Sequence, residues 1–214
     1  MNNPKQPIPA ARRIPVVLLA AISILAACVL PAPTAAPPTV TPTAAVGACT
    51  FTALEETALY LRPDPASEVF LTEEAGFAAS IQAKTSGGWL GFDPGIPQAD
   101  NVGPFRLRWI APGARGELSG DCSAVDAIWG PPAGICFQMP LQDTSVYAGP
   151  DENSAVVTVL NEGEFPAVTG LSTDGNWARV DFTPGNTGTT ETGWIAAAAL
   201  NLNGPCSFLS AAYP

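Results

Sequence analysis

Hydrophobic positions fall into two regimes along the chain. From Val16 to Ala27, twelve consecutive residues carry no charge. Beyond residue 48 the apolar residues come in short bursts instead. "ALYL" (58–61), "EVFLT" (68–72), "ASIQAK" (79–84), "WLGFD" (89–93) and "LRWIA" (107–111) form one set. "SAVVTVL" (154–160), "FPAVTGL" (165–171), "WARVDF" (177–182) and "TGWIA" (192–196) form another. Several alternate large apolar residues with others, and valine is frequent, as in half-buried strands. Turn-forming stretches such as "GPDEN" (149–153), "NEGE" (161–164) and "STDGN" (172–176) separate them. The pattern predicts an all-β protein of short strands. About five strands in each roughly 70-residue set suggest a small antiparallel barrel, which leaves few free sheet edges.

Composition agrees with this. The 214 residues include 23 prolines and 20 glycines, and 13% are charged. That favours short elements joined by turns over long amphipathic helices.

The early apolar run is a different object. Lys5, Arg12 and Arg13 precede it, and no acid does. Twelve residues are too few to cross a bilayer as a helix, but they have the length of the apolar core of a signal peptide. The run ends Leu25-Ala26-Ala27-Cys28. This resembles the lipobox of bacterial lipoproteins, in which the cysteine is lipidated and becomes the first residue after cleavage. The resemblance implies a signal peptide over 1–27 and a lipid on Cys28, hence an exported chain anchored to the extracytoplasmic face of a cell membrane. The alternatives are an ordinary secretory cleavage site or a short signal anchor. Residues 31 to 48 hold five Pro, four Thr and six Ala with no charge. Such a segment cannot bury a core, and 28–48 is expected to be a disordered tether reaching about 50–60 Å.

The two sets of strands are related. With Cys49 placed on Cys136, Leu54 falls on Leu141, Thr57 on Thr144, Tyr60 on Tyr147, Pro63 on Pro150 and Asp64 on Asp151. Ser67 then falls on Ser154 and Gly76 on Gly163. One insertion later Trp89 meets Trp177, then Trp109 meets Trp194, and finally Cys122 meets Cys206. Matched landmarks in one order indicate a tandem duplication of a small domain, 49–122 and 136–206. Residues 123–135 are the linker and 207–214 a C-terminal tail.

Each copy resembles a bacterial SH3-like (SH3b) domain. The motifs are "LYLRPD" (59–64), Gly76, "GGWLGF" (87–92) and "RWIA" (108–111) in the first copy. In the second they are "VYAGPD" (146–151), Gly163, "GNWARV" (175–180) and "GWIA" (193–196). The resemblance implies two small SH3-like β-barrels in tandem. It also implies ligand binding at the cell envelope, to a cell-wall peptide or glycan or to a protein. The copies depart from the family pattern: Arg108 stands where a closing Gly is expected, and Gly149 where the family Arg would stand.

Four cysteines remain after Cys28, and three connectivities are open to them. An exported chain permits disulfides. Pairing within each copy, Cys49 with Cys122 and Cys136 with Cys206, is the economical choice. Each bridge would close the ends of a small domain.

The chain contains no histidine, no C-x-x-C, no P-loop and no G-x-G-x-x-G. Serine–histidine and cysteine–histidine catalysis are excluded as usually built, and no zinc set of the common kind is available. No cofactor is expected. Without residues 1–27, 6 basic residues face 19 acidic ones, a net charge of −13. So acidic a chain suits neither nucleic acid nor an anionic membrane surface. The remaining function is non-enzymatic binding. Candidate contacts are Tyr60, Arg62 and Trp89 in the first copy and Tyr147, Asp151 and Trp177 in the second. Trp89 and Trp177 each open a strand after a Gly-containing turn, where a half-exposed ring suits sugar faces, proline or peptide backbone. The competing reading puts them in the core beside Trp109 and Trp194. Trp129, between the copies, is expected to pack one against the other. The alternative function is an accessory or structural subunit that docks another envelope protein.

Overall fold

The computed structural model describes residues 47–98 and 100–211, and all of them belong to one packed unit. The readings for 1–27 and for Cys28, and most of the tether reading, lie outside the described residues. The protein is all-β, with short 3-10 turns and one short terminal helix.

The first half contributes β1 (Thr50–Ala53), β2 (Thr57–Tyr60), β3 (Val69–Glu73), β4 (Ala78–Ser80), β5 (Ala83–Lys84), β6 (Leu90–Phe92), β7 (Arg108–Ile110) and β8 (Gly116–Ser119). The second contributes β9 (Phe137–Gln138), β10 (Thr144–Tyr147), β11 (Val156–Leu160), β12 (Ala167–Leu171), β13 (Trp177–Asp181), β14 (Thr192–Ala196) and β15 (Leu202–Asn203), followed by α1 (Phe208–Ala211). All strand pairs are antiparallel.

The halves follow one strand order. The second forms a single sheet, β11-β10-β14-β13-β12-β9-β15. The first forms β3-β2-β7-β6-β5 and β4-β1-β8. The split falls where the chain leaves the ladder at Ile81-Gln82, between β4 and β5. The matching stretch of the second half is the unbroken β12, which shifts register between Val168 and Gly170.

Local chemistry explains the landmarks shared by the halves. The β2/β3 ladder shifts register between Leu59 and Tyr60, and the β10/β11 ladder between Val146 and Tyr147. Such an irregularity bends the strand and re-aims the side chain beside it. In each half the turn that follows is held by serine and aspartate. Ser67 Oγ accepts from Arg62 N–H at 2.9 Å, and Ser154 Oγ from Gly149 N–H at 3.1 Å. Asp64 Oδ1 accepts from Ala66 N–H, and Asp151 Oδ1 from Asn153 N–H, as aspartate does in tight turns. Gly76 and Gly163 take φ values of +92° and +89°, which side chains rarely adopt.

Each half has its own core. Phe51, Leu59, Ile81, Phe92 and Ile110 gather around Cys49 in the first. Val146, Leu160, Val180, Phe182 and Ile195 gather around Cys136 in the second. Residues 207–214, read as a tail, supply α1, and its Leu209 is buried in that second core. Disulfides join Cys49 to Cys122 and Cys136 to Cys206, with Cα–Cα distances of 4.6 and 5.0 Å.

A third apolar cluster joins the halves. Phe105 comes from the loop before β7, and Phe137, Met139 and Phe165 from the second half. Trp129 packs against Phe105, Phe137 and Phe165 with centroid distances of 6.4, 5.5 and 6.1 Å.

Candidate binding site

The aromatic candidates occur as two matching pairs. Tyr60 meets Trp89 edge to face at 5.3 Å, and Tyr147 meets Trp177 at 5.4 Å. Both indoles are buried, with 7% and 8% of their surface exposed. They are therefore not the half-exposed rings expected at a strand start. Each ring turns inward under its tyrosine, an edge-to-face contact that aromatic quadrupoles favour. The tyrosines are half-buried. The closing-strand tryptophans differ from each other: Trp109 is fully buried and Trp194 only half so. Ile128, from the segment joining the halves, packs against the Trp89 and Trp109 cluster. Lys84 bridges to Ala127 beside it. Asp151 is exposed, and its Oδ1 also accepts from Asn153 Nδ2, so this carboxylate is occupied by its own turn.

Arg62 leads to a different site. It is 8% exposed and lines a cavity of about 430 Å³ between the halves. Leu61, Phe105 and Arg108 wall it from the first half, Ile135 from the segment joining the halves and Asn203 from the second. The size falls within the range of about 300–1,000 Å³ usual for small-ligand sites.

Neutral partners position Arg62. Its guanidinium carbon lies 4.6 Å from the centroid of the Phe105 ring, a cation–π arrangement. Its Nη2 donates to Asn203 Oδ1, and Asn203 Nδ2 donates to Asn101 Oδ1 at 2.8 Å. Burial, and secondarily the charge of Arg108, push the Arg62 pKa down to about 10.

Arg108 is 6% exposed. Its guanidinium carbon lies 4.4 Å from the centroid of the Phe70 ring, and Nη1 donates to the Leu107 carbonyl at 3.0 Å. Its buried Nε has no partner. Burial lowers its pKa as well, and the charge of Asp93 opposes that shift.

Among the described residues the ion pairs are Arg106–Asp93 and Arg115–Glu55, and neither cavity arginine takes part. Two buried cations thus share a cavity in which Glu68, the one acidic residue of the wall, is ion-paired to neither, and Asp93 acts on Arg108 only through its charge. A desolvated charge without a counter-ion is costly, so the site has an electrostatic demand that an anion can meet. The guanidinium fork suits planar oxyanions.

Of the cavity residues, Arg62 is legible as a candidate from sequence; Arg108, Phe105, Asn101 and Asn203 are not. Arg108 did leave a trace, since it replaces the closing glycine. In the ladders Arg108 pairs with Phe92, and Gly193 pairs with Val180. The second half thus has Gly193 at the place of Arg108 and Gly149 at the place of Arg62. It has neither arginine. No such trace marks the two asparagines.

No family model and no curated protein matches the chain. Among solved structures it is similar to NlpC2 and NlpC1 from Trichomonas vaginalis, each at 11% identity and a TM-score of 0.25. The matches cover 72% of this chain but 47% and 45% of those chains, so it spans less than half their length. A likeness this loose carries no argument about function.

Proposed function

We propose that this chain is a non-enzymatic, lipid-anchored protein of the cell envelope whose folded part is two tandem SH3-like barrels. It binds an extracellular ligand, a cell-wall peptide or glycan or a protein. The observation that carries the binding reading is the cavity between the halves, where Arg62 and Arg108 are buried and neither is ion-paired to a carboxylate. The shared strand order supports the duplicated architecture, and the two disulfides support an exported location. Sedimentation of the purified chain with isolated cell wall tests the reading. Co-sedimentation that saturates is the expected result, and a chain that stays in the supernatant at every wall concentration overturns it.

A second reading, an accessory subunit that docks another envelope protein, has one observation in its favour. Val156, Val157 and Val159 are exposed on β11, an edge strand of its sheet. A stoichiometric partner that co-purifies, with no affinity for wall material, selects it.

A further inference from the structure

We infer that the cavity walled by Arg62 and Arg108 binds the free carboxylate of a short peptide end. This rests on the binding reading above and names the ligand chemistry of that same site.

Three observations converge. First, the two arginines are the only buried basic side chains among the described residues, in a chain with a net charge of −10. Arg106 and Arg115 have carboxylate partners, and Arg179 is exposed. Second, the donors are not exhausted. Arg108 Nε is buried and unpaired, and the bonds of Arg62 and Arg108 go to carbonyl and amide oxygens. A carboxylate in the cavity would supply a charge of the right sign beside the two guanidinium groups. Third, the rest of the wall is of a different kind. Leu61, Phe105 and Ile135 are apolar, Asn101 and Asn203 carry amides, and Glu68 is the one acidic residue of the wall, against two arginines. A phosphate ion has no use for apolar walls. A peptide end has a carboxylate for the arginines, an amide for the asparagines and a side chain for the apolar wall. The second half has glycines at both arginine positions, so the geometry gives one such site per chain.

The full chain, with both disulfides formed, is titrated calorimetrically with three probes: N-acetyl-alanyl-alanine, the same peptide amidated at its C-terminus, and inorganic phosphate. The free acid is expected to bind, the amide about tenfold or more weaker, and phosphate not at all. Arg62→Gln and Arg108→Gln each lose binding of the acid by a similar factor, while Arg179→Gln does not. Circular dichroism and the thermal midpoint report whether each variant is folded. Should Arg62→Gln fail to fold, Arg108→Gln alone decides. Equal binding of acid and amide, binding of phosphate in preference to the peptide, or no binding of the acid each overturns the inference. Wall binding that survives Arg108→Gln overturns the ligand chemistry and leaves the envelope reading standing. Binding of the acid without wall binding does the reverse.

Discussion

The guanidinium of Arg62 lies over the ring of Phe105, 4.6 Å from its centroid. That ring is 1% exposed and belongs to the cluster joining the two halves. One side chain therefore supports the cation and the junction. Phe105→Ala is expected to cost about 3–5 kcal/mol, as large aromatic truncations in cores do. Urea unfolding followed by tryptophan fluorescence measures this. A cost below about 1 kcal/mol contradicts the placement of Phe105 as the shared support.

The buried charge of Arg108 carries a desolvation cost. Its charge is buried and its Nε has no partner. Replacing such a cation by an apolar residue of similar length is often neutral or stabilising. Arg108→Met is expected to raise stability by about 1 kcal/mol, roughly 2–4 °C in a domain of this size. Scanning calorimetry at neutral pH checks it. A clear drop in the midpoint means that the carbonyl bonds of Arg108 outweigh its desolvation.

The strand pattern was legible because alternation, turn residues and paired landmarks are local signals. Asp64, Asp151, Ser67 and Ser154 recur because each makes the same turn bond in its half. The cysteine pairs follow from the same repeat. The burial of Trp89 and Trp177 matches the core reading of these rings, and local sequence left that reading open beside the half-exposed one for a physical reason. The register shift before Tyr60 and Tyr147 is set between strands, and no sequence window contains it. The cavity was hidden for a similar reason. Asn101 and Asn203 are 102 positions apart and meet only because the halves pack. Arg108, unlike Arg62, is marked only by a difference between the copies, since it stands where the second has Gly193.

The Gly193 position shows why the second half has no arginine there. A Cβ at Gly193 would run into Val146 Cγ1 and lie 2.9 Å from the Tyr147 carbonyl oxygen. The backbone oxygen cannot move aside cheaply, because Tyr147 sits in the ladder opposite Trp194. Gly193→Ala is expected to destabilise by about 1–3 kcal/mol through overpacking. Chemical denaturation of this variant beside Gly170→Ala, where nothing lies within 4 Å of the new atom, isolates the steric effect. Equal stability of the two variants refutes it.

The disulfides close spans of 73 and 70 residues. Loops of that length correspond to about 4 kcal/mol each in the chain-entropy model. Replacing Cys136 and Cys206 together by Ser is expected to lower stability by about that much, with the Cys49–Cys122 bridge intact. Urea midpoints of this double variant and of its counterpart at Cys49 and Cys122 measure the two bridges separately. A loss below about 1 kcal/mol for either means that the remaining packing restrains the chain ends by itself.

Asp93 gives the molecule a defined acid sensitivity. Gly95 N–H donates to its Oδ1 at 2.8 Å, and Arg106 donates to Oδ2 from Nη2 at 3.1 Å and Nε at 3.3 Å. The Gly95 bond, the largest influence, together with Arg106 and the charge of Arg108, holds its pKa below the ordinary carboxylate value, and burial, second in size, opposes them. A depressed folded pKa means that the unfolded chain takes up the proton first as pH falls. The contribution of Asp93 is therefore complete above the unfolded value of about 4 and disappears as pH drops through the lower folded value. Because the pair is partly exposed, its size is about 0.5–1 kcal/mol. Asp93→Asn is expected to unfold at a lower temperature than the parent at pH 7, with the gap closing towards pH 2. A gap that stays constant from pH 7 to pH 2 means that the asparagine disturbs the loop sterically and that the charge of Asp93 adds nothing.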